Sequence, residues 1–185
     1  PFDLEVCLDT ARLVTEQLSK VSNALISIPN QAVMDSMLNH CSVQECIETS
    51  NIRILESLIG FGRLVSSDGL MNTNFDGFLK LIRENQGLGL MASVEMTGDF
   101  SAKAIVDSLL NHPFIDSKIE SSQPKFMFVI LAGGELTGLK QISELEESLA
   151  LKFPKTEKMV GLYKDKTLGS TIGVTLIALS TDQED

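Results

Sequence analysis

SVQECIETSNIRILESLIGFGRLVSS, residues 42–67, decides the fold. Ser42 and Glu45 stand at capping-box spacing, so a helix starts at Val43. Val43, Ile47, Ile54, Leu58, Phe61 and Val65 share one face, while Ile52, Leu55 and Ile59 make a second. A helix apolar on two faces belongs between two layers. At ~1.5 Å per residue it runs about 35 Å, the width of a small domain. The expectation is a central strut with a different body on each side, and an aspartate at Leu58 should then be severely destabilising. Gly60 and Gly62 weaken the helix and permit close packing or a bend.

Upstream, Leu4, Cys7, Ala11, Val14, Leu18 and Val21 draw one apolar stripe along a first helix. NALISIPN reads as a short buried strand stopped at Pro29-Asn30, and QAVMDSML as a short helix. Downstream, GLMNTNFDGF (69–78) reads as a functional loop leading into a short helix from about Phe75 to Glu84. LGLMASVEM is a strand. Ser101 caps the helix AKAIVDSLLNH, with Ile105 and Leu109 inward. KFMFVILAGG is a continuous apolar strand covered on both faces. LKQISELEESLALKF is a helix with Ile142, Leu145, Leu149 and Phe153 in register, and KMVGLYK and STIGVTLIALS are two further strands around DKTLG. Four strands and two principal helices make an α/β layer domain from about 74 to 182, ahead of a polar tail, TDQED.

Composition bounds the function. The chain has 185 residues, 43% hydrophobic and 22% charged, with net charge −10. That describes a globular protein without electrostatic attraction to nucleic acid or anionic membrane. Aromatics are only 5%, too few for base-stacking platforms. No apolar run reaches the ~20 residues of a membrane span. Three cysteines, Cys7, Cys41 and Cys46, form no disulfide framework and suit a reducing, cytoplasmic setting. His40, Cys41 and Cys46 lack a fourth metal ligand, and core packing is the better reading of Cys46. AGGELTG (132–138) reads as a turn rather than a phosphate cradle.

The order of these segments carries a resemblance. ISIPN, SVQECIETSNIRIL, GLMN followed by an Asn-Phe pair, GDFSAKAIVDSLLNHPFID, FVILAGGELT and DKTLGSTIGVTLIAL resemble, in order, successive parts of the second half of FtsZ, the bacterial tubulin homologue of cell division. The resemblance implies that residues 1–41 are the tail of a nucleotide-binding domain and 42–67 the central core helix. Residues 68–73 would be a loop contacting the next subunit, and 74–185 the C-terminal domain. It implies a cell-division filament protein that assembles head to tail, meets division regulators, and binds GTP or GDP in its complete form. No nucleotide is expected on this chain alone, which lacks the family's Gly-rich signature loop. Starting at Pro1, mid-element, the chain reads as a fragment.

In the resembled family the loop inserts into the next subunit's GTP pocket, where two aspartates orient the attacking water. Aligned on GLMN, Asn72 falls on the family asparagine, Asn74 on the first aspartate and Gly77 on the second. Asp76 is one residue early and is better read as a helix first-turn acid. Asn positions water but cannot act as a carboxylate base. At the guanine end the resemblance assigns Ile47 to a stacking position and Asn51 to a base-reading one, with core packing the rival reading of Ile47. Weak or lost hydrolysis is expected. The rivals are a non-enzymatic interaction or filament-capping module and, more distantly, a small-molecule site in the cleft beside the central helix.

Overall fold

The computed structural model describes residues 5–28, 30–37, 42–66, 69–71, 75–84, 87–98, 101–115, 118–134 and 139–180. Helix α1 (Glu5–Val21) leads to strand β1 (Ala24–Ile26), helix α2 (Asn30–Met37) and the long helix α3 (Val43–Ser66). Strand β2 (Gly69–Met71), helix α4 (Phe75–Glu84), strand β3 (Gly87–Thr97) and helices α5 (Ala102–Leu110) and α6 (Ile119–Ser122) follow. Strand β4 (Phe126–Gly133), helix α7 (Leu139–Lys152), strand β5 (Glu157–Lys164), a 3₁₀ turn (Lys166–Leu168) and strand β6 (Thr171–Ser180) complete it.

The start signals act as the sequence implies. The Ser42 N–H donates to Glu45 Oε2 at 2.7 Å and the Glu45 N–H returns to Ser42 Oγ at 3.3 Å, closing the capping box of α3. Ser101 Oγ accepts from the Ala104 N–H at 3.2 Å and caps α5.

Six strands form one mixed sheet in the order β1-β3-β6-β4-β5-β2. β1 runs parallel to β3 and β4 parallel to β5, and the remaining pairs are antiparallel. The apolar strand β4 lies buried along its whole length between β5 and β6. One face of the sheet carries α5 and α7, joined through Ile105, Leu109, Ile142, Leu145, Leu149 and Phe153. The other carries α3 and α4, through Leu64, Phe78, Met91, Phe126, Phe128 and Tyr163.

Three expectations change. The four strands read from 74 onward become a six-stranded sheet: the strand read in NALISIPN joins it at one edge as β1, and β2, not read as a strand, joins it at the other. Each has only three residues, and its ladder comes from distant partners: Ala24 opposite Gly87, Gly69 opposite Tyr163. The segment 68–73, read as a loop, thus contains strand β2. The largest correction concerns α3. Its buried residues are Cys46, Ser50, Ser57, Gly60, Arg63 and Leu64, four of them small. Ile47, Ile52, Leu55, Leu58, Ile59 and Val65, assigned above to two buried faces, are all exposed, Leu58 at 54%. Among the described residues one side of the strut is covered, by the sheet together with α2 and α4. Of the α1 stripe, Val14, Leu18 and Val21 are exposed too.

Candidate functional site

The site follows the far end of α3. Phe78 roots the short helix α4 there. It is 1% exposed and packs against Phe61, Phe75 and Phe128, with ring centroids 6.0, 6.3 and 5.0 Å away. With Phe78 facing the sheet, Asp76 lies roughly 200° round the helix, toward solvent. Asp76 sits in the first turn, where its charge complements the helix dipole. Gly77 is half-buried beside it. Asn72 and Asn74 lie outside the described residues.

The candidate guanine end is elsewhere. Ile47 and Asn51 stand one turn apart on the outer face of α3, both exposed. Core packing of Ile47 does not occur in this chain. From Ile47 to the end of α3 at Ser66 the axis advances about 28 Å. Ile47 and Asn51 therefore sit near the start of α3, and Asp76, on the helix rooted at its far end, does not converge with them within one chain.

Sequence reading missed a charged junction at the loop's base. Arg63, near the end of α3, has a side chain only 9% exposed. Its Nε donates to Asp165 Oδ2 at 2.9 Å and its Nη2 to Glu95 Oε1 at 3.0 Å. Asp165 also accepts from the Thr167 N–H at 3.0 Å and from its hydroxyl. The Thr167 hydroxyl is the main cause that holds the Asp165 carboxyl below its usual range, and Arg63 adds to it. A cation within an apolar helical run was the available signal. Elsewhere, burial raises the Tyr163 phenol to about 12. Burial, and secondarily the charge of Arg53, lowers His112 to about 4. Among the described residues no three His, Cys, Asp or Glu side chains group as a metal site, and no helix is long and apolar enough to cross a membrane.

No family model matches the chain. It is 24% identical over 180 residues to cell division protein FtsZ 1 of Methanocaldococcus jannaschii, covering 96% of this chain and 48% of that protein. It is 22% identical over 182 residues to cell division protein FtsZ 2 of Rhizobium meliloti, covering 98% of this chain and 52% of that one. Among solved structures it resembles an FtsZ dimer from M. jannaschii, with TM-score 0.74 and 20% identity over 90% of this chain and 48% of the other. It also resembles CetZ from Methanosaeta thermophila, with TM-score 0.72 and 14% identity over 98% of this chain and 50% of the other. The chain spans about half the length of the curated relatives it matches. The chain is thus similar to FtsZ proteins in sequence and in fold together, over nearly its whole length and about half of theirs.

Proposed function

We propose that the chain is the C-terminal half of a cytoplasmic cell-division protein that assembles head to tail into filaments and binds GTP through a nucleotide domain outside these residues. The observation that carries this is the match to cell division FtsZ proteins over 96–98% of the chain. The bare outer face of α3 supports it. Six large apolar side chains there suit cover by another body. In this reading 1–41 belongs with the nucleotide domain and 42–67 is the core helix. Residues 68–73 and the start of α4 reach the next subunit, and 74–185 is the C-terminal domain. Ile47 and Asn51 face the guanine of the chain's own nucleotide, while Asn72, Asn74 and Asp76 face the phosphates of the next subunit's nucleotide.

Hydrolysis is weak or lost in this reading, because Asn74 and Gly77 stand where the family motif has carboxylates. Phosphoryl transfer asks a protein for positioning and charge, and amides supply only the first. That substitution also favours a second reading, a nucleotide-free filament cap or interaction module. Sedimentation of the complete protein with and without GTP separates the two. GTP-dependent polymer supports the filament reading, and none supports the module. In the polymer, Asn74→Asp with Gly77→Asp should raise turnover by about 10²-fold or more, while Asp76→Ala changes little. Brisk parental turnover abolished by Asp76→Ala would instead mean that the loop works through the shifted aspartate.

A further inference from the structure

We propose that Arg63 is a positioning residue: its guanidinium clamps the last part of α3 to the sheet and so fixes the foot of the 69–78 segment. The geometry is a notch. Gly173 of β6 lies opposite Glu95 of β3 and Ala132 of β4. A Cβ at Gly173 would come within 2.5 Å of Arg63 Nη1, so the missing side chain is what admits the guanidinium. The three nitrogens then divide their work. Nη1 lies over Gly173, Nη2 reaches Glu95 and Nε reaches Asp165. A planar fork with donors in divergent directions meets this demand, and a lysine ammonium does not.

Asp165 links the clamp to the loop. It lies one residue beyond β5, the strand that pairs with β2 through Gly69 opposite Tyr163 and Met71 opposite Leu162. Its own backbone N–H donates to the Gly133 carbonyl at 3.0 Å, which ties it to the end of β4. The same end of β5 therefore holds α3 by a side chain and β2 by its ladder. The chain leaves α3 at Ser66 from one fixed point and reaches β2 at Gly69 at another. Apolar packing at this end of α3, through Leu64 and Phe61 against Phe78, holds the helix to the sheet, and Arg63 supplies the tie to Asp165 at the end of β5. The consequence for assembly rests on the reading of 69–78 as the subunit contact, but the positioning itself does not.

The test is amide hydrogen exchange on the complete protein, comparing the parent with Arg63→Met, Arg63→Lys and Glu95→Gln. With Arg63→Met, exchange at Gly69–Met71 should rise by about tenfold or more, while interior amides of β3 and β6, such as Ala92 and Leu176, change by less than about twofold. Arg63→Lys should fall between, because it keeps the charge and loses the fork. An equal rise at all these amides would mean a plain stabilising ion pair and overturn the proposal, as would unchanged exchange at Gly69–Met71. If Arg63→Met does not fold, Arg63→Lys and Glu95→Gln, which leave the notch occupied, must still loosen Gly69–Met71 first. Polymer sedimentation of the same variants separates the two readings. Loosened Gly69–Met71 with normal assembly sinks the subunit-contact reading and leaves the clamp. Lost assembly with unchanged exchange sinks the clamp.

Discussion

The two faces of α3 differ in size more than in polarity. The buried face carries Cys46, Ser50, Ser57, Gly60 and Leu64, with the buried cation Arg63 at its edge, and the opposite face carries Ile47, Ile52, Leu55, Leu58, Ile59 and Val65. A simple hydrophobic rule would bury the second face first. The sheet took the first because small side chains let the helix axis approach. At Gly60 a Cβ would overlap Thr175 Oγ1, which shares a hydrogen bond of 2.9 Å with Ser93. Close approach gains dispersion contacts along the helix, and the large apolar face is left exposed in this chain. Apolar periodicity therefore reports how much of a helix wants cover, and side-chain size reports which cover lies nearest.

The comparison breaks most sharply at Gly60. Gly60→Leu drives a side chain into the sheet and should cost about 3 kcal/mol or more. Urea unfolding with a parent-like midpoint would show that the helix does not sit so close. The matched pair Leu64→Ala and Leu58→Ala comes next. Leu64 is 2% exposed beside Phe78 and should cost about 3 kcal/mol when truncated. Leu58 carries the same chemistry on the outer face and should cost well under half of that in this chain. Equal shifts in midpoint would erase the distinction between the faces.

Acid tests the packed side of the molecule at His112. Its Nδ1 accepts from the Phe114 N–H at 3.2 Å, and its Nε2 finds no partner among the described residues. With its pKa lowered from 6.5 to about 4, the folded state resists protonation that the unfolded chain accepts. Its contribution is therefore complete above pH 6.5 and is lost as pH falls toward 4, by up to roughly 3 kcal/mol. His112→Asn keeps an acceptor and should flatten that slope. Equal slopes in parent and variant would mean the imidazole is not held neutral by burial. The smallest effect belongs to Leu58→Asp, expected within about 0.5 kcal/mol in this chain. In the complete protein the same change should cost several kcal/mol if the outer face is covered. Two equally small values would remove the case for a second body on α3.

Elements with local causes were legible from residues alone. The capping box at Ser42, the cap at Ser101, the unbroken apolar run of β4 and the stripe of α7 each state their structure within a dozen residues. The candidate site came from resemblance alone, through GLMN and the Asn-Phe pair, and not from any residue pattern of its own. Arg63 escaped because its partners, Glu95 and Asp165, lie 32 and 102 residues away in sequence. So did the notch at Gly173, since a glycine inside a strand does not announce which cation it admits.

By itself, then, the sequence determined the kinds and bounds of the main helices and strands and the FtsZ-like order in which they come. Tertiary structure alone decided that Gly69–Met71 is a strand and that β1 and β2 take the two edges of the sheet, since three residues gain a ladder only from partners far along the chain. It also decided which face of α3 meets the sheet. Hydrophobic period is written locally along a helix, but the distance at which a helix rests on a sheet is set by atoms on both sides of the contact, and the sheet side is assembled from β3 and β6, more than seventy residues apart in their facing pairs.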